Sequence, residues 1–120
     1  MTMIAQWMHG LVNYVRAAEP DLTNRQLAVL MLVHYEPGPH TVRGLAERLN
    51  VSKPVITRAL DKLANLGFLA RQADETDGRN VFIVATTNGG QFLAKFEDYF
   101  GKDASERAAF ASNNGIMLHH

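Results

Sequence analysis

The stretch Thr41-Val42-Arg43-Gly44-Leu45-Ala46-Glu47-Arg48-Leu49-Asn50-Val51-Ser52-Lys53-Pro54-Val55-Ile56-Thr57-Arg58-Ala59-Leu60-Asp61-Lys62-Leu63-Ala64-Asn65-Leu66-Gly67 decides the fold. Thr41 is suited to cap a short helix that carries Val42, Leu45, Ala46 and Leu49 on one face. Asn50 tolerates the left-handed conformation that ends a helix. Two residues later Ser52 offers a second cap, and Ile56, Ala59, Leu60, Leu63 and Leu66 recur at the spacing of one buried stripe. Pro54 is tolerated because it falls in the first turn, and Gly67 provides the stop. Two helices joined by so short a connection read as a helix-turn-helix.

Downstream the period changes from helical to extended. Residues 68–73 and 80–85 are apolar or β-branched runs on either side of Asp74-Glu75-Thr76-Asp77-Gly78-Arg79, a polar turn with glycine near its end, which predicts a β-hairpin. A last helix is predicted to begin near Thr86 or Thr87. It would bury Phe92, Leu93, Phe96 and Phe100 and continue weakly from Gly101 to Phe110, ahead of an aperiodic, flexible tail over residues 112–120. Upstream, Thr23 and Gln26 form a capping box flanked by the staple residues Leu22 and Leu27. The helix they start is expected to bury Leu27, Leu30, Met31 and His34 and to stop at Pro37-Gly38-Pro39. Residues 4–15 place Ile4, Trp7, Met8, Leu11, Val12 and Val15 on one face of an amphipathic first helix closed by Pro20. The predicted class is mainly α with a small β-hairpin wing (α+β), a winged helix-turn-helix. One domain is expected over residues 1–120, with the winged-helix core at 22–93 and helical flanking segments at 1–19 and 94–111.

The chain has 120 residues, 47% of them hydrophobic, with 12 Lys plus Arg against 12 Asp plus Glu and no cysteine. That length matches a single domain able to bury a core without staples. The absence of cysteine excludes disulfides, thiolate metal sites and a Cys nucleophile, and agrees with a reducing compartment. The longest apolar run, Leu27 to Val33, is far too short to span a membrane. No basic residue precedes Arg16, so no secretory signal is expected, and the protein is read as cytoplasmic. Net charge zero excludes a polycation that coats nucleic acid by bulk charge.

Function turns on how those charges are placed. On the helix after Ser52, the residues outside the core stripe are Lys53, Pro54, Thr57, Arg58, Asp61, Lys62 and Asn65. Such hydroxyl, guanidinium and ammonium groups suit phosphates and base edges in a major groove, and the helix N-terminus itself favours a phosphate. The plain alternative is the solvated face of a core helix. From Arg43 to Arg79 there are seven bases and five acids, which leaves five bases and seven acids elsewhere. Arg79 at the hairpin tip fits the attraction of a narrow minor groove for a guanidinium. A turn salt bridge to Asp77 or Asp74 would explain it as well. No catalytic site is expected. His9, His34 and His40 lack the spacing that sets ligands on one helical face, and Gly89-Gly90 is not followed by the residues of a phosphate loop. A regulatory metal site of His34, Glu36 and His40 around Pro37 is conceivable, but neither metal nor cofactor is expected.

Several motifs occur in an order more specific than any one of them: Leu22-Thr23 with Gln26 and Leu30; Thr41-Val42-Arg43-Gly44-Leu45-Ala46; Val51-Ser52; Val55-Ile56-Thr57-Arg58; Leu60-Asp61-Lys62-Leu63; Gly67-Phe68-Leu69-Ala70-Arg71; Asp74 with Asp77-Gly78-Arg79; and Thr86 with Gly89. Over residues 22–93 the chain resembles the MarR family of bacterial winged-helix transcriptional regulators. The resemblance implies a dimeric regulator of double-stranded DNA, with the helix over residues 53–66 in the major groove and the hairpin over 68–85 placing Arg79 in the minor groove. Lys53, Pro54, Thr57 and Arg58 would face bases and phosphates, Thr41, Arg43, Ser52 and Lys62 complete the DNA-binding set, and Asp74, Asp77 and Gly78 shape the wing turn. The family's dimerisation helices are long, whereas few residues follow Phe92 here, so that region is expected to be shortened. Its interface candidates are Ile4, Trp7, Met8, Leu11, Phe96, Tyr99 and Phe100, which ordinary core packing would also explain. The resemblance further implies a small aromatic effector, with His34, Tyr35 and Trp7 as lining candidates, which a closed apolar core would explain as well. The competing function is a winged helix used as a protein-interaction or assembly module without specific DNA binding, favoured by the neutral charge and the shortened C-terminal region.

Overall fold

A computed structural model describes residues 2–102, and the expected continuation of the last helix to Phe110 and the tail lie outside them. Their order is α1 (Met3–Arg16), α2 (Asn24–Tyr35), α3 (Val42–Leu49), α4 (Lys53–Asn65), β1 (Leu69–Ala73), β2 (Val81–Ala85), α5 (Thr87–Glu97) and a π-helical turn (Asp98–Lys102). The described residues divide into two compact units: Leu22–Phe92, and residues 2–21 together with 93–102. No helix among the described residues is long and apolar enough to cross a membrane.

Leu22–Phe92 is a winged helix. The capping box that opens α2 is formed in both directions: the Thr23 hydroxyl accepts from the Gln26 N–H at 3.1 Å, and the Thr23 N–H donates to Gln26 Oε1 at 2.9 Å. α4 packs its stripe of Ile56, Ala59, Leu60 and Leu63 against α2 and α3. The buried residues of α2 are Leu27, Val29, Leu30 and Val33, and those of α3 are Leu45 and Ala46. This corrects the sequence reading of α2, because Met31 and His34 are only half-buried while Val29 and Val33 take the interior. The cause is the unbroken run from Leu27 to Val33. A helix that is apolar nearly all round carries no period that selects its inner face.

Asn50 ends α3 in the left-handed region with φ 56°, and Gly67 turns the chain out of α4 with φ 77°. Ser52 occupies the N-cap of α4, but its side chain makes no cap bond, contrary to expectation. Pro54 removes only the N2 donor; the Val55 N–H at N3, equivalent to those that Thr23 and Thr41 cap, is left uncapped by the Ser52 hydroxyl. The strands pair antiparallel from Leu69↔Ala85 to Ala73↔Val81, slightly shorter than the predicted runs. A bridge that periodicity did not show adds a third short segment, as Ile83 N–H donates to His40 O at 2.8 Å.

Thr86 fastens the end of the hairpin to the helix that follows. Its hydroxyl donates to Gly67 O at 2.7 Å and accepts from Gly89 N–H at 3.0 Å. The His34 ring nitrogens lie 3.1 Å from Leu30 O and 3.2 Å from Thr86 O, and Phe68 stacks on Phe92 with ring centroids 4.6 Å apart. The joint is so close that a Cβ on Gly89 would stand 2.1 Å from Phe68 O and 2.7 Å from a His34 ring carbon.

In the other unit, α1 buries Gly10 and Tyr14. The Phe100 ring lies over Gly10, where a Cβ would meet it at 2.1 Å. Gln6 and Asn13 each donate to carbonyls of the π-helical turn, Phe100 O and Tyr99 O, both at 3.2 Å. Phe100, expected in the core, is half-buried because the helix has widened to the π form before reaching it. The Tyr14 hydroxyl donates to Pro20 O, and its ring meets Phe96 edge-on at 5.0 Å.

Adjacent glycines should respond in opposite directions. Gly89→Ala meets fixed backbone and should cost about 2–3 kcal/mol. Gly90→Ala, whose nearest neighbour would be a His34 carbon at 4.0 Å, should gain about 0.5–1 kcal/mol from reduced chain entropy. Chemical denaturation of the two variants checks this, and equal effects would show that the Gly89 contact is relieved by movement.

Candidate nucleic-acid interface

Because Ile56, Ala59, Leu60 and Leu63 are held inward, Lys53, Pro54, Thr57, Arg58, Asp61, Lys62 and Asn65 are all exposed on α4. Among the described residues Lys53, Arg58 and Lys62 form no salt bridge, so three cations on this face stand without an acid. The one acid on α4 is paired, with Arg71 of β1 donating from Nη2 to Asp61 Oδ1 at 2.8 Å. Sequence reasoning placed Asp61 on the outer face but gave Arg71 no role. The two lie ten positions apart on different elements, so no helical or strand period joins them.

The remaining predicted positions divide by what their side chains already do. The Thr41 hydroxyl accepts from Gly44 N–H at 3.0 Å as the cap of α3. Arg43 on α3 and Ser52 ahead of α4 are exposed. At the hairpin tip Asp74 Oδ1 accepts from the Thr76 N–H and hydroxyl, at 2.9 and 2.8 Å. Asp77 Oδ1 accepts from the Arg79 N–H at 3.1 Å. Both aspartates thus hold the turn through bonds to the backbone two residues on. Arg79 also leans on Asp77, Nε to Oδ1 at 3.3 Å, while its side chain remains 91% exposed. The pairing and a reaching guanidinium are therefore compatible, since an exposed pair of this kind is weak.

The interface candidates of the terminal unit behave differently from one another. Ile4, Trp7 and Met8 are 75%, 47% and 60% exposed, Leu11, Tyr99 and Phe100 are half-buried, and Phe96 is core. Trp7 rests on Phe100 with centroids 4.6 Å apart. Of the lining candidates in α2, His34 is occupied by the two carbonyls, whereas Tyr35 borders an open cleft of about 330 Å³ with Met31, Leu32, Arg48 and Leu49. Beside it Glu36 receives both guanidinium nitrogens of Arg48, one of them at 3.1 Å, and the Arg48 bond holds the Glu36 carboxyl below its ordinary range. His34, Glu36 and His40 do not gather into a metal site: among the described residues no group of three or more potential ligands forms one.

The family model that matches residues 21–80 is the one described as the MarR family. The chain belongs to the MarR family. Among its relatives, the transcriptional regulator HosA of Escherichia coli O157:H7 is 32% identical over 90 residues, covering 75% of this chain and 60% of HosA. The chain thus spans little more than half the length of that relative. Among solved structures, the transcriptional regulator BldR from Sulfolobus solfataricus is similar at 25% identity with a TM-score of 0.61, over 88% of this chain and 84% of BldR. The S. aureus MepR–DNA complex shares the fold at 22% identity with a TM-score of 0.68, over 92% of this chain and 76% of MepR. The matched segment spans α2 through the wing turn and takes in the exposed face of α4, β1 and Arg79, ending before β2.

Asp74 offers a direct check on the wing. The Thr76 hydroxyl first, and then the Thr76 N–H, hold its carboxyl below the ordinary aspartate range. A carboxyl depressed by folding contributes turn stability that is complete above its unfolded value and lost as pH falls through its folded value. By carboxyl-carbon NMR, Asp74 should titrate below the ordinary range, and Thr76→Ala should raise its midpoint. An unmoved midpoint would remove the hydroxyl as the cause.

Proposed function

We propose that this chain is a sequence-specific regulator that binds double-stranded DNA as a homodimer, with α4 entering the major groove and Arg79 of the hairpin reaching the adjacent minor groove. The observation that carries the reading is the outward face of α4, where Lys53, Arg58 and Lys62 stand unpaired beside Thr57 while the opposite stripe is buried to the last methyl. Cations left without acids on one face remain available to phosphates and base edges. The helix N-terminus at Lys53 adds favourable backbone N–H groups for a phosphate. Membership of the MarR family supports the role, as does the fold shared with a protein solved on DNA.

Neutrality of the whole chain does not oppose this. Binding depends on how many phosphates the local cations neutralise, and each releases counterions that give a measurable salt slope. In this reading Lys53, Lys62 and Arg79 act mainly on phosphates and fix register, and Thr57 and Arg58 carry base discrimination. Thr41, Arg43 and Ser52 support the backbone contacts. Fluorescence anisotropy of a labelled duplex should show affinity falling linearly in log–log form with salt, and Arg79→Ala should reduce the slope by about one unit. Absence of binding at low ionic strength, or binding indifferent to salt, would overturn the reading.

The homodimer rests on Ile4, Trp7 and Met8, apolar side chains that one copy of the chain leaves open on α1. A contiguous exposed apolar patch is a mark of an association surface. Light scattering should give twice the chain mass. Trp7→Lys combined with Met8→Lys should give the single-chain mass with the far-ultraviolet circular dichroism unchanged.

A further inference from the structure

Asp61 lies in the middle of the exposed arc of α4, with Thr57 and Arg58 one turn before it and Lys62 beside it. A bare carboxylate there would repel the phosphates that its neighbours are placed to attract. Arg71 reaches it from β1. In the hairpin register Arg71 stands opposite Ile83, and it follows Leu69 by two, so its side chain leaves the strand on the face of two core residues. At that position another apolar residue would extend the core. An arginine instead runs past the core edge and sets its guanidinium on Asp61 at 2.8 Å, with 38% of the arginine and 59% of the aspartate side chain exposed. Exposed pairs of this kind add little to folding stability. The consequence of this one lies in the charge it cancels.

We propose that Arg71 is a positioning residue of the DNA interface, acting through Asp61: it covers the carboxylate and thereby converts a mixed-charge face into a cationic one. The proposal rests on the DNA-binding reading given above. Arg71 itself makes no phosphate contact in this scheme. Asp61 in turn keeps the guanidinium folded against α4. The pair therefore sets the affinity of α4 for DNA without belonging to the contacts that count phosphates.

A double-mutant cycle decides it. Binding to a labelled mixed-sequence duplex of about 30 base pairs, three turns of the helix, is measured across salt for the unmodified protein, Arg71→Gln, Asp61→Asn and the double variant, with thermal unfolding midpoints confirming that all four fold. Arg71→Gln should weaken binding about fivefold to tenfold, and adding Asp61→Asn should recover most of that loss. Arg71→Lys should bind nearly as the unmodified protein does. The salt slope of the double variant should equal that of Asp61→Asn alone. Three results would overturn the proposal: Arg71→Gln binding as the unmodified protein does; Arg71→Gln causing the same loss and a slope lower by about one in the Asp61→Asn background, the mark of a direct phosphate contact; or the double variant binding more weakly than Arg71→Gln, the mark of a contact made by Asp61 itself. No binding by the unmodified protein is a separate outcome that removes the DNA reading and this inference with it.

Discussion

The seating of Ile56, Ala59, Leu60 and Leu63 against α2 and α3 is the constraint from which the rest of the winged helix follows. Each of these side chains is at most 4% exposed, and burial of that kind stabilises by roughly 1.5–3 kcal/mol for each of the larger residues. Once that stripe is fixed, the rotation of α4 about its axis is fixed with it. The outward residues then have no freedom to exchange faces, because a shift of one position would move Thr57 or Arg58 into an apolar interior and leave their polar groups without partners. Presentation of the basic face is therefore a result of core packing. It needs no interaction among the basic residues themselves, which would repel one another if brought closer.

The hairpin depends on the same core through a different chemistry. Its inner positions Leu69 and Ile83 are buried, but the remainder of both strands is largely open to solvent, so a two-stranded ribbon of this size cannot hold itself together by apolar burial. Local hydrogen bonds supply the difference. Asp74 and Asp77 organise the turn, His40 adds a bridge to β2 at Ile83, and Thr86 ties the exit of the hairpin to Gly67. Gly89 allows the start of α5 to approach Phe68 O closely enough for that tie to form. The wing is thus anchored at its base and shaped at its tip, with exposed strand between.

These two regions differ in how far the sequence disclosed them. The helix-turn-helix was legible because α3 and α4 carry sharp amphipathic periods with a capping threonine, a left-handed asparagine and a terminal glycine at the expected offsets. α2 was legible in extent through its capping box, yet its inner face was misjudged, since seven consecutive apolar residues offer no contrast. Ser52 looked like a cap by residue type, and it occupies the N-cap of α4 without making the side-chain bond. The polar partners of the candidate interface were the least legible. Arg48 with Glu36 and Arg71 with Asp61 are joined only once α3 meets α2 and β1 meets α4, and no local pattern encodes a contact made by tertiary packing. Arg79 presented the opposite case. The sequence offered both a turn salt bridge and a groove-reaching side chain, and the structure holds the first in a geometry weak enough to leave the second open.

Charge balance ties these observations together. Within Leu22–Phe92 three acids, Glu36, Asp61 and Asp77, each face an arginine, and Asp74 accepts from Thr76. None of these pairs is buried, so their summed contribution to stability is small. Their effect is on where the field remains. Arg71 pairs with Asp61 on the outward face of α4, and Asp74 and Asp77 bond within the wing turn, while Lys53, Arg58 and Lys62 form no salt bridge among the described residues. A chain with no net charge can in this way hold a local positive potential over one helix. The screening length in physiological salt is about 8 Å, so a phosphate close to this face responds chiefly to the charges beside it. Neutrality of the whole and cationic character of the face are consistent because the arrangement, and not the total, determines what a phosphate backbone meets at close range.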